Sequence, residues 1–243
     1  MAELVLHRGG QLINRDELDL ISIPEATESY IPVSHYDLSK TLLTIGQDIL
    51  TDYTLVGENY AIARNGNQMF AVLKFQNKNS DMALSVGFRN SYDRSMSVGF
   101  AVGASVFVCD NLALYGDVTV MRKHTKNVWS ALEDMAITTI YKSQLSYEKI
   151  IEDAEILKNI KVSDNSSFKM LGLLFGHGIV SPRQLPVVKA EWLNPTHTEF
   201  QPRNAWSFYN ACTQALKSSP PISIMEKHID LHKTIVEGKE VWQ

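Results

Sequence analysis

Tyr60-Ala61-Ile62-Ala63-Arg64-Asn65-Gly66-Asn67-Gln68-Met69-Phe70-Ala71-Val72-Leu73-Lys74-Phe75 is the stretch whose reading decides the fold. Asn-Gly is a strong short hairpin signal, because both residues accept the positive φ of a tight turn. Tyr60, Ile62 and Arg64 alternate before it, and Met69, Ala71, Leu73 and Phe75 alternate after it. The same two-residue period returns in Met82, Leu84, Val86 and Phe88, and again in Met96, Val98, Phe100 and Val102. Ala104–Cys109 is a denser apolar run broken by Asp110-Asn111, and Val118, Val120 and Arg122 close the series. The connections are too short for crossover helices, so the strands form an antiparallel meander rather than βαβ units. Gly99, Gly103 and Gly116 suggest bulges, bends or close backbone approach, with simple relief of crowding in a curved sheet the preferred reading for at least two of them.

Upstream, Ser34 and Asp37 have capping-box spacing after Pro32. Leu38, Leu42, Ile45 and Ile49 follow at helical spacing, with Gly46 a residue whose cost packing must offset. Downstream of His124 the helical period resumes in Val128, Leu132, Met135 and Thr139 and runs to Leu157. A further helix is predicted over residues 166–176. Pro182, Pro186, Pro195 and Pro202 predict loop or short strand between them. Helices are predicted again over residues 203–217 and 224–236. The expected fold is therefore α+β: an antiparallel β-meander packed against a preceding helix and a long following helix, with C-terminal helical cover. Residues 1–31 read as an N-terminal arm, packed on its own domain or a neighbour, or as a partly ordered tail. Residues 32–243 read as a single α+β domain, with the helix and meander core in 32–127 and a mostly helical 128–243.

Composition excludes several classes. The chain of 243 residues is 44% hydrophobic and 21% charged, which is neither a disordered nor a fibrous balance. Lys+Arg 23 against Asp+Glu 27 gives a net −4, so the surface as a whole does not attract polyanions. Across residues 32–127 nine Lys/Arg face eight Asp/Glu, so the basic balance is local. No apolar stretch reaches the roughly 18 residues of a membrane span, and the start has no export signal. Two cysteines make neither a disulfide framework nor a zinc spacing. The expectation is a cytoplasmic protein with no membrane partner, no cofactor and no metal. No Walker loop, G-x-G-x-x-G, G-x-S-x-G or H-E-x-x-H occurs.

Two polar clusters could carry function. In Arg89–Ser95, Arg89 and Arg94 suit phosphates or carboxylates, Asn90 and Ser91 add donors, and Tyr92 offers a stacking face. The bland reading is a solvated hairpin loop with Asp93 paired to Arg94 or Arg89. In Arg122-Lys123-His124-Thr125-Lys126, cations gather at the start of a helix, where backbone N–H groups favour anions. Cys109 with Asp110 and His124 could form a nucleophilic site, though a cysteine ending an apolar strand is usually a buried hydrophobe. His228 and His232 share a helix face with only Glu226 or Asp230 as a third metal ligand, so they read as an exposed polar face, and His177 sits in a helix stop.

Arg89–Ser95, Val106–Asn111 and His124-Thr125 together resemble the phage and plasmid-like family catalogued as domain of unknown function 932. The resemblance covers about residues 32–127, with Asn210-Ala211 a further match. Tyr92 stands where members of that family usually place His, which disfavours a proton shuttle there. The resemblance implies a mobile-element source and no established activity. At the level of element order, the chain is also similar to phage single-strand annealing proteins. That similarity implies an oligomeric protein binding single-stranded DNA, and the two polar clusters supply the expected binding residues Arg89, Asn90, Ser91, Tyr92, Arg94, Arg122, Lys123, His124 and Lys126. Two rivals stand beside it: a modifying enzyme using Cys109, Asp110 and His124, with Arg89 and Asn90 positioning substrate, and a non-catalytic assembly or anti-defence protein. The last would bind a host protein through an apolar patch near Trp192, Trp206 or Trp242.

Overall fold

The computed structural model describes residues 10–77, 82–106, 112–220 and 222–242. Among the described residues six strands form one antiparallel sheet in strict chain order: β1 (Gln11–Ile13), β2 (Thr54–Ala63), β3 (Gln68–Gln76), β4 (Met82–Ser91), β5 (Val98–Val106) and β6 (Leu112–Arg122). The Asn65-Gly66 turn joins β2 to β3, with Arg64, Asn65 and Gly66 at φ 51, 55 and 84. Gly66 is required twice over, since a Cβ there would also press on Ile21 Cγ2 at 3.0 Å.

Helix α1 (Arg15–Leu18) is held by a reciprocal Asn14–Glu17 capping box, and its Leu18 enters the core. Helix α2 (His35–Ile49) starts where Ser34 Oγ accepts from the Asp37 N–H at 3.1 Å. Gly46 lets α2 lie flat on β3, because a Cβ there would stand 2.6 Å from Phe75 Cζ. The long α3 (Val128–Lys158) lays Leu132, Ala136, Ile140 and Ile150 on the same sheet face as α2. That face carries Met69, Leu73, Phe75, Leu84, Val86, Phe88, Phe100 and Val102, the set the two-residue period selects.

The opposite face is covered as well. Ala61, Phe70, Val72 and Ala101 pack against Ile224 and Met225 of α7 (Ile224–Glu237). Every residue of β4 is consequently buried, the signature of a strand enclosed on both sides. The glycines behave as their positions require. Gly99 faces Met121 Sδ and the Val120 carbonyl, which leave no room for a Cβ. Gly103 marks a register shift, where pairing passes from Ala101↔Thr119 to Gly103↔Leu114, and Gly116 lies in the bulged part of β6.

The helical half contains α4 (Asp164–Gly176), α5 (Leu185–Leu193) and α6 (Ala205–Leu216). Helix α5 corrects the reading of residues 182–202 as loop or short strand: Pro186 falls in the first turn, where its missing N–H breaks no helical bond. The tryptophans also correct the expected apolar patch. Trp192, Trp206 and Trp242 are 2%, 6% and 5% exposed and belong to the core. Among the described residues no helix is long and apolar enough to cross a membrane.

Candidate nucleic-acid interface

The polar run after Phe88 is divided by the strand. β4 continues to Ser91, so Arg89, Asn90 and Ser91 are paired in the sheet and only residues 92–97 form the connection to β5. Arg89 turns to the α7 face. Its guanidinium meets Glu226 in a two-pronged pair, both contacts at 2.8 Å, and donates to the Ile222 carbonyl at 2.6 Å. Asn90 points the other way, giving Nδ2–H to the Val33 carbonyl at 2.5 Å and to His35 Nδ1 at 2.9 Å. His35 Nε2–H donates to the Gly66 carbonyl at 3.0 Å, so Nδ1 is the acceptor and the ring is neutral. Burial pushes its pKa down to about 4. Ser91 Oγ donates to the Met96 carbonyl and accepts from the Met96 N–H, closing the loop across its base.

Tyr92 is also structural. Its ring stacks on His35 at 3.9 Å, and its hydroxyl accepts from the His35 backbone N–H at 2.9 Å. At 6% exposure it offers no face to a base. Asp93 pairs with Arg64 at 3.4 Å rather than with Arg94 or Arg89. Burial works to raise its carboxyl, but hydrogen bonds from Ser95 and Gln68, with the Arg64 charge, outweigh it and hold the pKa below the ordinary value.

Above this scaffold lies a cleft of about 440 Å³, lined by Ser29 and Tyr30, by Arg94 to Ser97, and by Lys123, His124 and Thr125. Three distant segments build it. The Ile31 N–H donates to the His124 carbonyl at 3.1 Å, and Tyr30 Oη donates to the Tyr92 carbonyl at 3.2 Å. Arg94 adopts a left-handed φ of 60 and lays its guanidinium 4.4 Å from the centre of the Tyr30 ring. A non-glycine residue in that region carries strain of about 1 kcal/mol or more, which the cation–π contact helps to offset. His124 is buried beside the Tyr30 ring at 5.2 Å, and burial depresses its pKa against the pull of the Ile31 and Met96 backbone.

The cleft thus unites Arg94, Lys123 and His124 of the expected site. Lys126 is exposed a turn further on, whereas Arg122 bends back to the Met121 carbonyl at 2.8 Å. Arg94, Lys123 and Lys126 form no ion pair among the described residues. Arg89, Asn90, Ser91 and Tyr92 are not brought to it; they support it or bind elsewhere. Ser29, Tyr30, Ser95, Met96, Ser97 and Thr125 are additions to the expected set. No local signal marks Ser29, Tyr30 or Ser97, and the Tyr30 hydroxyl acts through partners more than 60 positions away. Cys109 and Asp110, the proposed nucleophilic pair, lie outside the described residues. Cys212 is wholly buried and burial pushes its thiol pKa up, so it is no nucleophile. No group of three metal-ligating side chains occurs among the described residues; His228 and His232 are 0% and 3% exposed, which corrects their reading as an exposed polar face.

An antiparallel meander backed by two helices, with a cationic cleft at the mouth of its β4–β5 hairpin, defines the class of domain. The chain belongs to the family described as Domain of unknown function (DUF932), whose model matches residues 29–234. The match extends beyond the meander through α6 and into α7, further than the motifs alone. No curated protein and no solved structure matches the chain.

Proposed function

We propose that this protein binds single-stranded nucleic acid, with the backbone phosphates held in the cleft between Arg94 and Lys123. The observation that carries this reading is the convergence of these two exposed cations, neither in an ion pair among the described residues, with Ser29, Ser95, Ser97 and Thr125 on one open surface. Guanidinium and ammonium groups neutralise phosphates, and hydroxyls supply the remaining donors. Arg94, rather than Tyr92, gives the flat surface: held against Tyr30 on one side, its guanidinium plane offers the other to a base. Lys126 extends the positive path beyond the cleft.

The test is fluorescence anisotropy with a labelled single-stranded oligonucleotide at low salt. Arg94→Ala with Lys123→Ala abolishes or strongly weakens binding on this reading. Absence of binding by the parent, or binding unchanged in the double variant, contradicts it.

Strand annealing in recombination further calls for a homo-oligomer. The support is an exposed apolar stripe on α3, where Ile137, Tyr141 and Leu145 are 50%, 74% and 73% exposed. Asp134 and Glu148 flank it on the same face. Pairing two α3 helices through this stripe sets carboxylate against carboxylate in either direction. The contact is therefore between the stripe and a different surface of the next copy, the arrangement that builds rings or filaments.

A further inference from the structure

A second cavity, remote in sequence from the first, lies between the start of α5 and the turn from α6 into α7. Its volume is about 740 Å³, within the range of small-molecule sites. Gln184, 4% exposed, wires its wall together. Nε2–H donates to the Ala215 carbonyl and to Ser219 Oγ, both at 3.0 Å, while Oε1 accepts from the Ser181 backbone N–H at 2.9 Å. Ser219 is 1% exposed; having accepted from Gln184, its hydroxyl still carries a proton to donate. Arg183 and Lys227 supply two positive charges to the lining, which contains no carboxylate among the described residues. The adjacent Glu226 is engaged by Arg89. Lys227 is half-buried, desolvation lowers its ammonium pKa, and it forms no ion pair among the described residues. Val187 and Pro220 line the same cavity with apolar surface.

We propose that this cavity binds a small organic phosphate, its dianion between Arg183 and Lys227 with Ser219 donating, and its apolar body against Val187 and Pro220. A desolvated cation without a counter-charge is stabilised by an anion that completes its pairing. Two cations and a hydroxyl suit a dianion with three oxygens better than a monoanionic carboxylate. The site stands independently of nucleic-acid binding at the β4–β5 cleft.

Isothermal titration of the full chain with phenyl phosphate, inorganic phosphate and benzoate tests the proposal. The expected order is phenyl phosphate tightest, inorganic phosphate weaker and benzoate weakest. Lys227→Gln and Arg183→Gln each weaken phenyl phosphate by about tenfold or more, the range of one charge-assisted hydrogen bond, while Lys123→Ala leaves it unchanged. Acetylation of wild-type Lys227 by limiting acetic anhydride, followed by mass spectrometry, slows when phenyl phosphate is present; this readout decides the matter where a variant does not fold. No saturable binding of phenyl phosphate, equal binding of benzoate, loss of sensitivity to both variants, or unprotected Lys227 would each overturn it.

Discussion

His35, fully enclosed beneath the cleft, ties α2 to the β2–β3 turn and to Asn90, and it does so as a neutral ring. Its folded pKa of about 4 lies below the 6.5 of the free side chain. A base whose folded pKa is depressed contributes stability above the unfolded value, and that contribution is lost as pH falls from about 6.5 toward 4. The full effect is roughly 3 kcal/mol, and the depressed His124 acts in the same direction. Urea denaturation at pH 7 and pH 4.5 should show this loss, and His35→Gln should flatten the dependence while lowering stability at pH 7. Arg89 makes a second residue-scale prediction. Glu226→Ala removes the two-pronged partner of a buried guanidinium, and about 2 kcal/mol of stability should disappear, measured by thermal unfolding. The figure is reduced for Glu226, whose side chain is 46% exposed. Nucleic-acid binding should be unaffected at saturating protein, because Arg89 faces α7 and not the cleft.

Gly46 shows how an element is fitted to its neighbour. In an isolated helix, alanine there would add about 1 kcal/mol. Here its Cβ would strike the buried Phe75 ring, so Gly46→Ala should destabilise by about 1–3 kcal/mol, with Phe75→Leu recovering part of the loss in denaturant titrations. The elements themselves are largely legible in the sequence: period two in β2–β5, period 3.6 in α2 and α3, and the Asn65-Gly66 turn follow from local sterics and burial. Three things are not. Helix α5 hides behind its prolines, because a proline in the first turn reads like a proline that prevents a helix. The second buried sheet face hides because Ala61, Val72 and Ala101 look like the solvent side of an alternating strand until α7 covers them. The polar run Arg89–Ser91 looks like loop because the partners of Arg89 and Asn90, namely Glu226, Val33 and His35, lie 55 to 137 positions away. The cleft is half legible for the same reason. The two cationic turns stand out in sequence, but Tyr30, which joins them, does not.

At the scale of the molecule, the exposed stripe on α3 and the cleft are separate surfaces with separate consequences. Mass photometry should find higher oligomers of the parent chain, and Tyr141→Glu with Leu145→Glu should leave monomers with unchanged helix content by circular dichroism. A monomeric parent would remove the ring or filament and leave the cleft. The most direct test of the cleft is the salt dependence of single-strand binding. Removing one phosphate-neutralising cation should lower the slope of log K against log salt by about 0.7. Measured by anisotropy from low to moderate salt, Lys123→Ala should bind more weakly and with a slope shallower by about that amount. Equal slopes and affinities for the parent and Lys123→Ala would show that the backbone does not run through this cleft.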